Sequence, residues 1–255
     1  MTTHSFLRIC VFVCTMALFA TWISPVAAQR ASARVPRGFT WGELAVLPDY
    51  CRDTQGVLYG AHGSHDDSPR AAEWVAKMGE DFWHMHHYCY ALRDMRQATE
   101  AGASPSRKTY LYLRAVGDLM YVVNNCQPSM PLFPEVYLKL GEVYLLQGNV
   151  VDAKVAFERA RLIRPDYWPA YTRWIDVLVP LKLHKEAKAL AEEGLRHAPD
   201  AEPLRQAFIR LGGNPAAVKP AATAAAAAPP NAGASGASAA DTGNRREAGA
   251  GATPR

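Results

Sequence analysis

The chain has 255 residues, of which 49% are hydrophobic and 20% are charged, a composition typical of a globular protein. The formal net charge is +4, but residues 1–28 and 214–255 carry most of it, and about +1 remains for the body between them. A body so close to neutral lacks the basic surface that nucleic acid requires, so we expect no nucleic-acid partner.

Residues 1–28 have the layout of a secretory signal peptide. Arg8 is followed by an apolar run over residues 9–23 and then by Pro25 and small residues that end at Ala28. The run is short for a transmembrane helix, so we expect cleavage after Ala28 and no stable membrane span afterwards. The alternative is an uncleaved anchor. The prediction is a periplasmic or secreted protein.

The next part of the chain is predicted to be irregular and then helical. Residues 29–67 are rich in Gly, Pro and Asp, and only one helical turn is expected, over residues 41–46. Residues 68–213 show helical periodicity, short turns and almost no alternating strand pattern. The first helices are predicted to begin at Asp67 or Ser68, at Glu80, and at Ser104 or Ser106, and the last two of them to end near Thr99 and Asn125.

The segment DFWHMHHYCYALRDM, residues 81–95, holds three histidines and a cysteine. On a helix, His84 and His87 share one face, whereas His86 and Cys89 lie near the opposite face, so one ion cannot contact all four. The spacings of zinc and haem motifs are absent. We therefore expect an aromatic packing helix and no cofactor. The alternative is a metal site that combines this segment with HGSHDD, through His62, His65, His84 and His87.

Three cysteines, Cys51, Cys89 and Cys126, follow the predicted signal peptide. An odd count in an oxidising compartment is most simply explained by one disulfide and one free thiol. We predict a bridge between Cys51 and Cys89, because it would tie the irregular segment to the long helix. A bridge between Cys89 and Cys126 would close a loop of nearly the same length and is the alternative.

A repeat begins at Pro134, in PEVYLKLGEVYLLQGNVVDAKVAFERARLIRPD. Residues with the spacing of a tetratricopeptide repeat (TPR) are Tyr137, Leu140, Gly141, Tyr144, Ala153, Phe157, Ala160 and Pro165. Gly141 and Ala153 would let two antiparallel helices approach closely, and Pro165 would end the second helix. A degenerate copy follows, with Ile175 at the glycine position, and then a predicted terminal helix, AEPLRQAFIRLGG. The chain thus resembles the TPR family over residues 134–167 and 168–201, and more loosely exported bacterial TPR proteins without an assigned activity.

The resemblance implies an all-α fold, a TPR-like solenoid of antiparallel helix pairs over residues 68–213. It would follow the irregular segment 29–67 and precede a disordered tail rich in Ala, Pro and Gly over residues 214–255. The concave face of such a solenoid binds protein or peptide segments. The positions expected to face this groove are Glu135, Leu138, Glu142 and Leu145 of the first repeat, and Pro169, Thr172 and Asp176 of the second.

The residues at two of these positions argue against one kind of ligand. Family members that clamp a terminal carboxylate have Lys and Asn where this chain has Leu138 and Glu142. We expect instead an apolar groove edged with acids, which would suit a basic or amphipathic segment. Catalytic motifs such as a nucleophile elbow or a phosphate-binding loop are absent, so we expect no enzyme. The predicted function is a periplasmic scaffold or adaptor that binds a partner protein, and the alternative is a metal- or cofactor-binding protein.

Overall fold

A computed structural model describes residues 36–221. Over this range the fold is all-α, with helices, no β-strand and one isolated bridge between Gln55 and Tyr59. No helix in the same range is long and apolar enough to cross a membrane. The predicted signal peptide with its cleavage point, and the predicted tail from residue 222 onward, lie outside the described residues.

The described residues form nine α-helices. In chain order they are α1 (Trp41–Leu44), α2 (Ala71–Met78), α3 (Met85–Thr99), α4 (Pro105–Asn125), α5 (Phe133–Leu146), α6 (Val150–Ile163), α7 (Trp168–Leu178), α8 (His184–His197) and α9 (Glu202–Arg210). Short 3-10 helices occupy Asp49–Arg52, Glu80–His84 and Pro215–Ala217.

A capping side chain explains where α4 begins, whereas the predicted start of α2 is corrected. The Ser104 side chain accepts a hydrogen bond from the amide of Arg107 at the start of α4, as its position predicts. The predicted start at Asp67 or Ser68 is wrong, because α2 begins at Ala71. The Ser68 hydroxyl instead donates to the Asp53 carboxylate at 2.7 Å. It therefore anchors the preceding loop rather than capping a helix.

A disulfide joins the N-terminal segment to α3. Cys51 and Cys89 are bridged, as predicted, with their Cα atoms 5.7 Å apart. Cys126 is free and buried. The bridge spans a sequence separation of 38 residues. In the loop-entropy description, closing a loop of this length stabilises the fold by about 4 kcal/mol.

Buried polar contacts hold the same segment in place. The Arg93 guanidinium donates to the carbonyl of Gly38 and, at 2.7 Å, to the Asp94 carboxylate. The Asp53 carboxylate accepts a hydrogen bond from the Trp74 indole at 2.8 Å. Since the side chains of Asp53, Trp74, Arg93 and Asp94 are buried, these contacts offset the cost of removing them from water.

The second half of the chain forms two helix pairs, α5 with α6 and α7 with α8, and α9 packs against the second pair. At Gly141 in the first pair, an added Cβ would lie 2.5 Å from a ring carbon of Phe157. In the second pair Ile175 occupies the matching position. There α7 and α8 come close at Gly194 of α8, where an added Cβ would lie 3.0 Å from the ring of Tyr171 of α7. The two pairs therefore achieve close packing with glycines on different helices.

The core consists of two adjoining clusters. The first joins the N-terminal segment to α2 through α5 and includes Ala156 of α6, and the second joins α6 through α9 and includes Leu138 of α5. Tyr137 and Tyr144 of α5 pack against both clusters and so connect them. Contacts continue past the predicted boundary at residue 213: Val218 packs on the second cluster, and the Ala221 amide donates to the carbonyl of Arg196 at 2.7 Å.

Candidate functional site

The helices α5, α7 and α9 border a groove of about 490 Å³. Side chains three or four positions apart on a helix share a face, so each of these helices contributes one row to the surface. The groove is lined by Leu138, Lys139 and Glu142 of α5, by Trp168, Pro169, Thr172, Arg173 and Asp176 of α7, and by Pro203, Gln206, Ala207 and Arg210 of α9.

Most of the predicted groove positions line this surface. They are Leu138, Glu142, Pro169, Thr172 and Asp176. The other two contact different parts of the fold. The Glu135 carboxylate accepts a hydrogen bond from the Tyr88 phenol of α3 at 2.7 Å, and Leu145 packs against the second core cluster. Both side chains contribute to packing between helices instead of lining the groove.

Glu142 is held by two cations of the groove itself. One carboxylate oxygen, Oε2, accepts from Nζ of Lys139 at 2.8 Å, and the other, Oε1, accepts from Nε of Arg173 at 2.7 Å. The Glu142 side chain is 14% exposed, compared with 55% for that of Arg173. The partly buried acid is thus paired with one cation on its own helix and one on α7.

This pairing corrects the expectation of an apolar groove edged with acids. The cationic side chains that line the surface are Lys139, Arg173 and Arg210, and the anionic ones are Glu142 and Asp176. The lining therefore carries a small positive excess, and one of its two acids is already neutralised. Lys139, Arg173 and Arg210 were not among the predicted groove residues, although Arg173 follows the predicted groove residue Thr172 directly.

The apolar part of the groove has a buried base and an aromatic edge. Leu138 and Ala207 are almost fully buried, and they form the base. Trp168 is 37% exposed and begins α7, and Pro203 lies in the first turn of α9. The surface can therefore contact an apolar side chain and a charged side chain of the same bound segment.

Three histidines surround Tyr121 of α4: His86 and His87 of α3, and His84 at the end of the 3-10 helix that precedes α3. The predicted continuous helix from Glu80 is wrong, because a 3-10 helix runs to His84 and α3 begins at Met85. The rotation of 100° per residue therefore does not apply across His84. The ring centroids of His84, His86 and His87 lie 5.7, 6.4 and 3.7 Å from that of Tyr121.

Each of these imidazoles has a hydrogen-bonding partner at Nδ1. For His87 it is the Asp118 carboxylate at 2.6 Å, and for His86 it is the carbonyl of Trp83 at 3.0 Å. His84 lies 3.3 Å from the Tyr121 hydroxyl. Burial, aided by the neighbouring His87, lowers the pKa of His86 to about 4. The role of Asp118 and Tyr121 was missed, although their spacing places both on one face of α4.

The predicted metal ligands do not share a centre. His62 stacks on Trp83 at 3.8 Å between ring centroids, and His65 is exposed. His84 and His87 belong instead to the group around Tyr121. Between residues 36 and 221, no group of three or more His, Cys, Asp or Glu side chains is arranged to hold a metal ion. The groove is therefore the better candidate site.

Comparisons with known proteins do not assign this site. No protein-family model matches the chain, and no significant match was found among curated proteins or solved structures.

Proposed function

We propose that this protein is an exported interaction scaffold that binds a segment of a partner protein in the groove of α5, α7 and α9. The helix pairs α5–α6 and α7–α8 would be two units of a short TPR-like solenoid, and α9 its closing helix. The observation that carries the proposal is that alternate helices of the array line one groove with an apolar base and exposed charged side chains. Such a surface suits recognition of a peptide segment.

The dimensions of the groove set the length of this segment. The middle helix, α7, has 11 residues and so is about 16 Å long. An extended chain covers roughly 3.3 Å per residue, so about five residues would lie along α7. A segment of this length can present both an apolar and a charged side chain to the groove.

Two observations support an exported, periplasmic location. The bridge between Cys51 and Cys89 is of the kind that persists in oxidising compartments. The first 28 residues have the charge and apolar pattern of a signal peptide. Determination of the N-terminal residue of the protein recovered from the periplasm tests this part of the proposal, and Gln29 is expected.

The groove is tested by site-specific crosslinking in cells. A photoreactive amino acid is placed at Gln206 in the groove or, as a control, at the exposed Arg159 of α6, which does not line it. We expect a discrete adduct from Gln206 and none from Arg159. The adduct should be lost when Thr172→Trp fills the groove, and it should persist with Thr109→Trp on α4. Equal adducts from both positions, or an adduct that survives Thr172→Trp, would refute the proposal.

The two threonine variants are closely matched. Thr172 and Thr109 each lie near the start of a helix, and each hydroxyl donates to the carbonyl of a proline, Pro169 or Pro105, at 3.1 Å. The substitutions therefore remove the same kind of local hydrogen bond. They differ in that only Thr172 lines the groove.

A further inference from the structure

The charges of the groove indicate the chemistry of its partner. We propose that the bound segment is acidic: a carboxylate side chain of the partner contacts Arg173, and a neighbouring apolar side chain packs beside Trp168. This inference rests on the proposed function, because it names the chemistry of the segment that the groove would bind.

Glu142 is a poor receptor for a basic segment. Its two oxygens already accept charge-assisted hydrogen bonds from Lys139 and Arg173. Its oxygens retain lone pairs, but a basic side chain that approached this acid would come close to both cations and be repelled by them. This repulsion is screened little at a site where Glu142 is 14% exposed and Lys139 25% exposed. An acidic partner meets no such repulsion from Lys139 and Arg173.

Arg173 is positioned to receive a second carboxylate. A guanidinium has five N–H donors, and the bond from Nε of Arg173 to Glu142 uses one of them. That bond fixes the guanidinium plane, and the side chain remains 55% exposed. The edge formed by the two terminal nitrogens matches the geometry of a carboxylate. Glu142 thus orients Arg173 and leaves its remaining donors to a ligand.

The remaining charges place the acidic contact at the end of the groove near α5. Asp176 and Arg210 line a smaller adjoining cavity together, so their opposite charges largely balance there. Near α5, Lys139 and Arg173 face the single acid Glu142. The positive excess of the groove therefore lies beside Arg173.

Trp168 supplies the apolar contact on the same helix. Trp168 is 37% exposed and lines the groove, and Pro169 and Pro203 lie on the same surface. Arg173 lies five positions later in α7, about 7.5 Å along the helix axis, so both side chains lie within the length of a five-residue segment. A partner that combines an acidic and an aromatic or aliphatic residue would use both contacts.

The first experiment selects ligands without assuming their sequence. A library of random 12-residue peptides, displayed without a free C-terminal carboxylate, is panned against the full exported chain and against its Thr172→Trp variant. We expect the unaltered protein, but not the Thr172→Trp variant, to enrich peptides. These peptides should have a net negative charge and an aromatic or aliphatic residue. Enriched basic peptides would overturn this inference and leave the proposed function standing. An absence of groove-dependent peptides would overturn both.

The second experiment measures the role of Arg173. An enriched acidic peptide is synthesised with an amidated C-terminus, and its affinity is measured by fluorescence anisotropy. We expect Arg173→Gln to weaken binding about tenfold or more, and Arg173→Lys, which keeps the charge but not the planar fork, to have an intermediate effect. The affinity for the unaltered protein should fall as salt rises.

Arg205→Gln on α9 is the matched control. Nε of Arg205 lies 3.5 Å from a carboxylate oxygen of Glu202, and the side chain is 46% exposed, so it resembles Arg173 outside the groove. Its replacement should leave the affinity unchanged. Equal effects of Arg173→Gln and Arg205→Gln in proteins with unchanged thermal unfolding would overturn the assignment of Arg173. Enriched peptides that match residues 222–255 would overturn the proposal of a partner segment, since the occupant would then be the chain's own C-terminal segment.

Discussion

The contact between α5 and α6 at Gly141 predicts that Gly141→Ala destabilises the protein. The added Cβ would lie 2.5 Å from Cε1 and 2.7 Å from Cζ of Phe157. The Phe157 side chain is fully buried, so its ring has no free space into which to move. A normal carbon–carbon contact is about 3.5–4.0 Å, so the two helices would have to separate locally by about 1 Å.

Two opposing effects determine the size of the change. Alanine is favoured over glycine inside a helix by about 1 kcal/mol. Overpacking of a filled core costs about 1–3 kcal/mol, and a contact this short belongs in the upper half of that range. The expected net loss in the free energy of unfolding is therefore about 1–2 kcal/mol.

Gly117→Ala in α4 is the matched control, because nothing lies within 4 Å of a Cβ built at Gly117. It should stabilise the protein by about 0.5–1 kcal/mol, through helix propensity alone. Both variants are compared by urea unfolding followed by circular dichroism, with the slope m checked for constancy. If Gly141→Ala is as stable as Gly117→Ala, the close approach at Phe157 is refuted. A partial recovery in the double variant with Phe157→Leu would support it.

Three further predictions concern the first half of the fold. Because burial lowers the pKa of His86 to about 4 from an ordinary 6.5, its stabilising effect should be complete above pH 6.5 and be lost as the pH falls toward 4. His86→Gln should remove roughly 3 kcal/mol of this dependence, measured as unfolding free energy against pH, and an unchanged profile would contradict the assignment. Replacing Cys51 and Cys89 by serine should lower the unfolding free energy by about 4 kcal/mol, and three free thiols in the unaltered protein cleaved after Ala28 would show that the bridge does not form. Burial raises the pKa of Cys126 to about 12, so its alkylation at pH 8 should be slow in the native protein and fast in urea, and fast native labelling would show that the thiol is accessible.

Local sequence patterns were sufficient to predict the all-α class of the fold and the start of α4. The Ser104 cap and Pro105 act within a few residues of one another, so the start of α4 is visible in the sequence. The Cys51–Cys89 bridge was also predicted, because it would tie the irregular segment to the long helix, with Cys89–Cys126 as the alternative pairing. The start of α2 was missed because the Ser68 hydroxyl donates to Asp53, fifteen positions away, and accepts from the amide of Arg70, which still precedes the helix.

The properties of the groove depend on helices that are far apart in sequence. Glu142 was expected to be one of the acids that edge an apolar groove. It is paired with Arg173, 31 positions away, and a local sequence pattern cannot predict a contact over that distance. Tyr121 and the three histidines are brought together in the same way by the packing of α3 on α4. Periodicity along one helix indicates which residues share a face, but the charge of a surface shared by several helices is decided only when they pack.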